Sequence, residues 1–169
     1  MQTHVRRLLW YQLLLLDMRT YEATGPRPQI REGDFSTNVP LDVDEHLVHL
    51  SSKDSINWTD MTVTIIRIRC NKFIREILAD RLRLQEKQAN VGEVLVKIQA
   101  FDEHMQRKFG KIADMNVPLQ RYGCIVAKIS TLRTYAMILH QYALHPEIEM
   151  SGEVVLVGEH LITLLTDAF

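Results

Sequence analysis

Apolar residues recur at steps of three and four through most of this chain of 169 residues, and residues that break helices are scarce. Only seven glycines and five prolines are present, which favours long helices over many short strands. We therefore predict an all-α fold, an irregular multi-helix bundle with one long proline-containing loop. The predicted helices span residues 4–22, 57–80, 91–109, 118–145 and 152–166.

The first predicted helix is apolar on nearly every side. Because such a helix normally lies inside an assembly, we expect residues 8–16 to be buried, with both Leu13 and Leu14 in the core. Its start is abrupt, as if preceding helices were missing. The pair Arg6-Arg7 before the apolar run imitates a signal peptide, but the run is too short to span a bilayer and no small-residue cleavage site follows it.

A long segment without any sustained period, residues 24–55, contains three of the five prolines. It predicts an extended loop with short turns. A loop of this length inside a compact domain often has a function. We expect residues 1–169 to form a single helical domain.

Charge and cysteine content exclude several functions. The formal net charge is −1, whereas a domain that binds nucleic acid alone normally carries a basic excess. Cys70 and Cys124 form no C-x-x-C pair, which excludes a structural zinc site built on cysteines. Both cysteines fall in apolar helical patterns, so we expect buried free thiols in a reducing compartment.

Two polar clusters could bind a metal ion, and we favour solvated surface for both. Residues 42–49 combine acidic groups with His46 and His49, but their spacing matches no established metal motif. Asp102-Glu103-His104 lies on the polar side of the third helix, and no second helix carries the Glu-x-x-His pattern of a di-metal bundle.

A basic run in and after the second helix could contact nucleic acid or an acidic partner. Acidic residues at salt-bridging intervals accompany it, so an ordinary exposed helix face is the preferred interpretation. The basic residues are Arg67, Arg69, Lys72, Arg75, Arg81, Arg83 and Lys87, and the acidic residues are Glu76, Asp80 and Glu86.

Motifs for catalysis are missing. The sequence contains no G-x-S-x-G, no phosphate-binding glycine loop, no H-E-x-x-H and no cysteine nucleophile with an evident partner. We therefore predict that the chain is not an enzyme, and we nominate no catalytic, cofactor-binding or metal-ligating residue.

Several short motifs become specific when they are taken together in order. The string RRLLWYQLLLLDMRTYEATGPRPQI combines two arginines, an apolar run, Asp-x-Arg and a Gly/Pro/Arg turn ending in Ile30. Later motifs are Asp34-Phe35, Pro40-Leu41, the acidic residues 42–45, Trp58-Thr59-Asp60-Met61-Thr62 and the DMNVPL of residues 114–119. This series resembles the fungal-specific transcription factor domain, the middle homology region of zinc binuclear cluster transcription factors.

The resemblance implies an all-helical regulatory domain of a nuclear protein that controls transcription. Members of that family bind DNA through a separate six-cysteine zinc domain, which this chain lacks, and the order Gly25-Pro26-Arg27-Pro28 departs from the commoner Gly-Arg-Pro. We therefore expect a fragment or truncated form corresponding to the later part of the regulatory region. It should act through protein partners or the remainder of a parent transcription factor, with a homodimer possible. We expect neither cofactor, nor membrane association, nor sequence-specific DNA binding.

Two alternatives stay open at this point. The chain could be a stand-alone helical scaffold, or it could be a small-molecule-binding protein unrelated to transcription.

Overall fold

Helices account for every regular element in the computed structural model, which describes residues 2–24, 27–51, 53–143 and 163. No strand occurs among these residues, so the predicted all-α class is confirmed. The four long helices are α1 (Gln2–Thr24), α2 (Thr62–Gln85), α3 (Val91–Met105) and α4 (Pro118–Ala143). The predicted fifth helix and the predicted end of the fourth at Pro146 lie outside the described residues.

The chain divides into two compact units, Met1–Leu78 and Ala79–Phe169, and the boundary falls within α2. The first unit contains α1, the long loop and most of α2. The second contains the end of α2 together with α3 and α4. The expectation of one domain over residues 1–169 stays a prediction.

Helix α2 begins and ends about five residues later than its pattern predicts. Thr59 organises the turn that precedes α2, since its hydroxyl accepts the N–H of Met61 at 3.1 Å. At the other end Lys87 adopts a left-handed φ of 57°, and Gln88 donates its N–H to the carbonyl of Arg83 at 2.8 Å. Glycine is the residue usually found in this geometry, so the lysine at this position does not indicate the helix end.

Helix α3 starts where predicted because Asn90 accepts the N–H of Gly92 at 2.7 Å and caps the first turn. Ile98 and Met105 on the predicted apolar side are buried. The last predicted turn is a π-helix, Gln106–Gly110. Gly110 ends this turn without a left-handed conformation, because no described glycine has a positive φ.

The apolar side of α4 is buried mainly in its second half. Leu132 and Leu139 are 6% and 2% exposed, whereas Leu119 and Tyr122 near the first turn are 56% and 52% exposed. All four residues fall at the same steps of three and four, so periodicity alone does not show which turns of the helix are covered.

The expectation that α1 is buried on every side is wrong. Tyr11, Leu14 and Met18 are at most 4% exposed, but Leu13 is 53% exposed. Among the described residues, the long loop and α2 contact α1 at Tyr11 and Leu14. A continuous apolar sequence therefore has one buried side and one side that faces solvent.

Leu13 and Leu14 form a matched pair that tests this orientation. We expect Leu14→Ala to lower the free energy of unfolding by about 2–5 kcal/mol, because removing most of this fully buried side chain leaves a cavity in its place. Leu13→Ala should change it by less than about 0.5 kcal/mol, as exposed substitutions usually do. Urea titrations of both variants measure the difference, and equal costs would contradict the orientation of α1.

Candidate interaction site

The side chain of Arg75 connects α2 to α1 and to the long loop. Its guanidinium forms an ion pair with Asp17 at 2.7 Å and donates to the carbonyls of Leu14 and Ile30, each at 2.7 Å. Nε donates to Asn71 Oδ1 at 3.3 Å. The sequence pattern placed Arg75 on the exposed polar face of α2, and that prediction is wrong because Arg75 is buried.

Asp17 completes this junction. Its carboxylate accepts the backbone N–H groups of Gln29 and Ile30 at 3.0 and 3.2 Å. Burial raises the pKa of Asp17, but the hydrogen bonds from Arg75 and from these two N–H groups outweigh burial, so the net pKa lies below its usual range. Asp17 and Ile30 both belong to the motif that carries the family resemblance, which gives that motif a structural role.

The long loop is held against α1 at two further points. The Tyr11 hydroxyl donates to the carbonyl of Thr37 at 3.0 Å. The rings of Trp10 and Phe35 meet edge to face with centroids 5.3 Å apart. The function of this loop is therefore at least partly structural, since it covers one side of α1.

The acidic stretch at residues 42–49 is only partly solvated. Asp42 is 2% exposed and accepts the hydroxyls of Thr59 and Thr62 at 2.7 and 2.9 Å. Asp44 accepts the N–H of Asp60 at 3.0 Å. The interpretation of this stretch as simple surface is wrong at Asp42, whose carboxylate organises the start of α2.

The exposed side of α1 is an apolar stripe made of Val5, Leu9, Leu13 and Leu16. These side chains are 45%, 61%, 53% and 59% exposed. Steps of four, four and three place them on one narrow face, and the stripe is about 16 Å long at 1.5 Å per residue. A contiguous apolar surface of this kind on a folded chain indicates an interaction site.

Basic residues border the apolar stripe on both edges. Arg6 and Arg19 are exposed and lie on opposite sides of the stripe at helical spacing. Asp17 is turned away from it into the Arg75 junction. The described side chains of α1 therefore place positive charge, and no carboxylate, around the stripe.

The other polar clusters form ordinary ion pairs. Asp102 pairs with Lys128 at 2.9 Å, while Glu103 and His104 are exposed. In the basic run Arg69 lies 3.5 Å from Asp54 and Arg83 lies 3.5 Å from Asp80. Such contacts at a protein surface contribute little to stability.

The described residues contain no group of three or more histidine, cysteine, aspartate or glutamate side chains that could hold a metal ion. Neither cysteine forms a disulfide; Cys70 is buried, as expected, whereas Cys124 is only half-buried. Burial raises the pKa of Cys124, which disfavours the thiolate that nucleophilic catalysis needs. None of the described helices is long and apolar enough to cross a membrane.

The chain is similar to the C6 finger domain transcription factor hasF of Aspergillus fumigatus. The two are 26% identical over 160 residues, which cover 80% of this chain and 21% of that protein. A transcriptional regulatory protein of Schizosaccharomyces pombe is 26% identical over 105 residues, covering 57% of this chain and 17% of that protein. The chain is related to fungal transcriptional regulators.

The chain spans about a fifth of the length of these relatives. Both relatives are named as regulators of transcription, and neither name describes an enzyme. No protein-family model and no solved structure matches the chain. The comparisons therefore support a general link to the regulation of transcription.

The Arg75 junction should be a large contributor to the stability of the first unit. We expect Arg75→Met to cost about 3–5 kcal/mol, because it leaves the Asp17 carboxylate buried without its cation. Arg67→Met, on the exposed side of the same helix, should cost less than about 0.5 kcal/mol. Urea unfolding at neutral pH compares the two, and a cost for Arg75→Met as small as the control would contradict the junction.

Acid should weaken the same junction. Because folding lowers the pKa of Asp17, its contribution is present above the unfolded-state pKa and is lost as pH falls through the folded-state value. The wild-type chain should therefore lose more stability on acidification than Asp17→Asn does. Unfolding titrations over a pH series measure this, and parallel curves for the two proteins would show that Asp17 is not linked to folding.

Proposed function

We propose that the chain is a regulatory and interaction module in the control of transcription, of the kind found in the regulatory region of fungal zinc-cluster transcription factors. The similarity to hasF over 80% of the chain carries this proposal. The order of motifs from Arg6 to Pro146 supports the same region of that family. The proposed location is the nucleus, where such regulators act, and no catalytic activity is proposed.

The partner we propose for the apolar stripe is an amphipathic helix with acidic flanks. Four exposed aliphatic side chains in a line can receive the apolar side of a second helix by ridge-and-groove packing. Arg6 and Arg19 along the two edges then select glutamate or aspartate beside that apolar side, as flanking charges do between paired helices. Such a segment could lie in the parent transcription factor or in another protein.

Direct reading of DNA is not part of the proposal. The formal net charge of −1 supplies no basic excess, and phosphate contacts dominate affinity for DNA. Several of the arginines are also engaged within the protein, Arg75 most completely. Regulation by this chain therefore passes through protein contacts.

Tethering tests the proposal. Fused whole to an unrelated DNA-binding domain, the chain should change the output of a reporter gene. The double variant Leu9→Gln, Leu13→Gln should return that output to the level of the DNA-binding domain alone. Glutamine matches leucine in helix propensity and both positions are exposed, so the fold should be retained.

A matched control uses two exposed apolar residues elsewhere. Leu82 and Val96 are 45% and 66% exposed, and Leu82→Gln, Val96→Gln should leave the reporter response intact. No response from the wild-type fusion would contradict the regulatory role and favour the stand-alone scaffold. A response that survives the α1 substitutions would contradict the proposed surface. Concentration-dependent dimers that the same substitutions abolish would assign the stripe to a second copy of the chain instead.

A further inference from the structure

The second unit contains a groove of about 670 Å³ between the π-helical turn and α4. We call it the π-turn groove. The volume lies within the range of small-molecule sites. Its lining residues are Glu103, Gln106, Arg107, Gly110, Lys111, Met115, Cys124, Ile125 and Lys128.

The lining of the π-turn groove combines an apolar part with a charged rim, in which Arg107, Lys111 and Lys128 outnumber the single carboxylate of Glu103. Met115, Cys124 and Ile125 supply the apolar surface. Burial raises the pKa of Cys124, so its thiol is neutral. An apolar surface with a few charged groups on one side is the usual composition of a ligand site.

Two cations of the rim are uncommitted within the described part of the chain. Lys128 is paired with Asp102 at 2.9 Å, and Glu103 accepts a hydrogen bond from Gln99 at 3.1 Å. Arg107 and Lys111 are exposed, and no described acidic side chain pairs with either. Both also lie at the C-terminal end of a helical run, where positive charge interacts favourably with the helix dipole whether or not the residue binds a ligand. What singles them out is their position beside the apolar part of the groove.

The backbone around the groove is unusual in two ways. Residues Gln106–Gly110 form a π-helix, a rare conformation that is frequent at functional sites. Gly110 lines the groove without a positive φ, and an added Cβ would meet nothing within 4 Å. Alanine would be more stable than glycine in such a helical backbone. Glycine here therefore keeps space open and serves no turn.

We propose that the π-turn groove binds a small organic anion, a carboxylate with an apolar body of aromatic or short aliphatic type. The carboxylate would pair with Arg107 and Lys111, since guanidinium and ammonium groups are the usual partners of carboxylates. The apolar body would lie on Met115, Cys124 and Ile125. This inference goes beyond the proposed function, because it concerns a ligand site in the second unit and does not require the α1 surface.

Three probes with one body and different head groups test the charge requirement. We would titrate the full chain with 4-phenylbutyrate, 4-phenylbutanol and 4-phenylbutylamine and follow backbone amide resonances by NMR. The butyrate should shift the amides of Gly110, Cys124 and Ile125 in a saturable way. The alcohol should bind at least about tenfold more weakly, a loss of about 1.4 kcal/mol, and the amine should not bind there.

Substitutions locate the site. Arg107→Gln should weaken butyrate binding about tenfold or more, whereas Arg121→Gln, at an exposed position of α4 outside the groove, should not. Gly110→Leu should fill the groove and abolish binding while the amide spectrum stays folded, because a Cβ added at this position meets no atom within 4 Å. Equal binding of the amine, shifts outside the groove, or no saturable shift with the butyrate would each overturn the proposal. None of these results depends on the reporter assay, so the two proposals fail separately.

Discussion

The buried ion pair between Arg75 and Asp17 fixes the arrangement of the first unit. Arg75 alone donates to a carboxylate, to a carbonyl of α1 and to a carbonyl of the long loop. A buried guanidinium is costly unless its donors are satisfied, so this set of acceptors holds α1, α2 and the loop in one arrangement. Tyr11, Leu14 and Met18 form the buried side of α1 in this arrangement, and helical spacing places Leu9, Leu13 and Leu16 on the opposite side. The exposure of the apolar stripe therefore follows from which side of α1 is covered.

Periodicity predicted the helices well, because apolar steps of three and four bring side chains to one face only in an α-helix. The buried residues Ile66, Cys70 and Ile77 of α2 lie where the spacing places them. Helix ends were less predictable. The end of α2 depends on Lys87 in a left-handed conformation, which nothing in its residue type indicates. A pattern with steps of three and four likewise does not distinguish the π-helical turn after α3 from an ordinary α-helical turn.

Burial of polar residues and exposure of apolar ones could not be predicted from the pattern. Arg75 and Asp42 are buried because they have hydrogen-bond partners distant in sequence, and their partners are known only once the fold is known. Leu13 is 53% exposed although it begins a run of four leucines. A helix that is apolar all round shows how much surface must be covered, but it does not show what covers it. That distinction separates the predicted core helix from the observed helix with an exposed apolar stripe.

The apolar stripe of α1 is proposed to bind an amphipathic helix with acidic flanks. Fluorescence anisotropy can measure this directly with a labelled peptide of about 16 residues, long enough to cover the stripe, that carries leucines on one side and glutamates along both edges. A twin with lysines in place of the glutamates is the control. We predict saturable binding of the glutamate peptide that weakens as the salt concentration rises. The affinity should be at least about tenfold higher than for the lysine twin. Binding should be lost in the double variant Leu9→Gln, Leu13→Gln. Equal affinity for the two peptides, or undiminished binding to that variant, would contradict it.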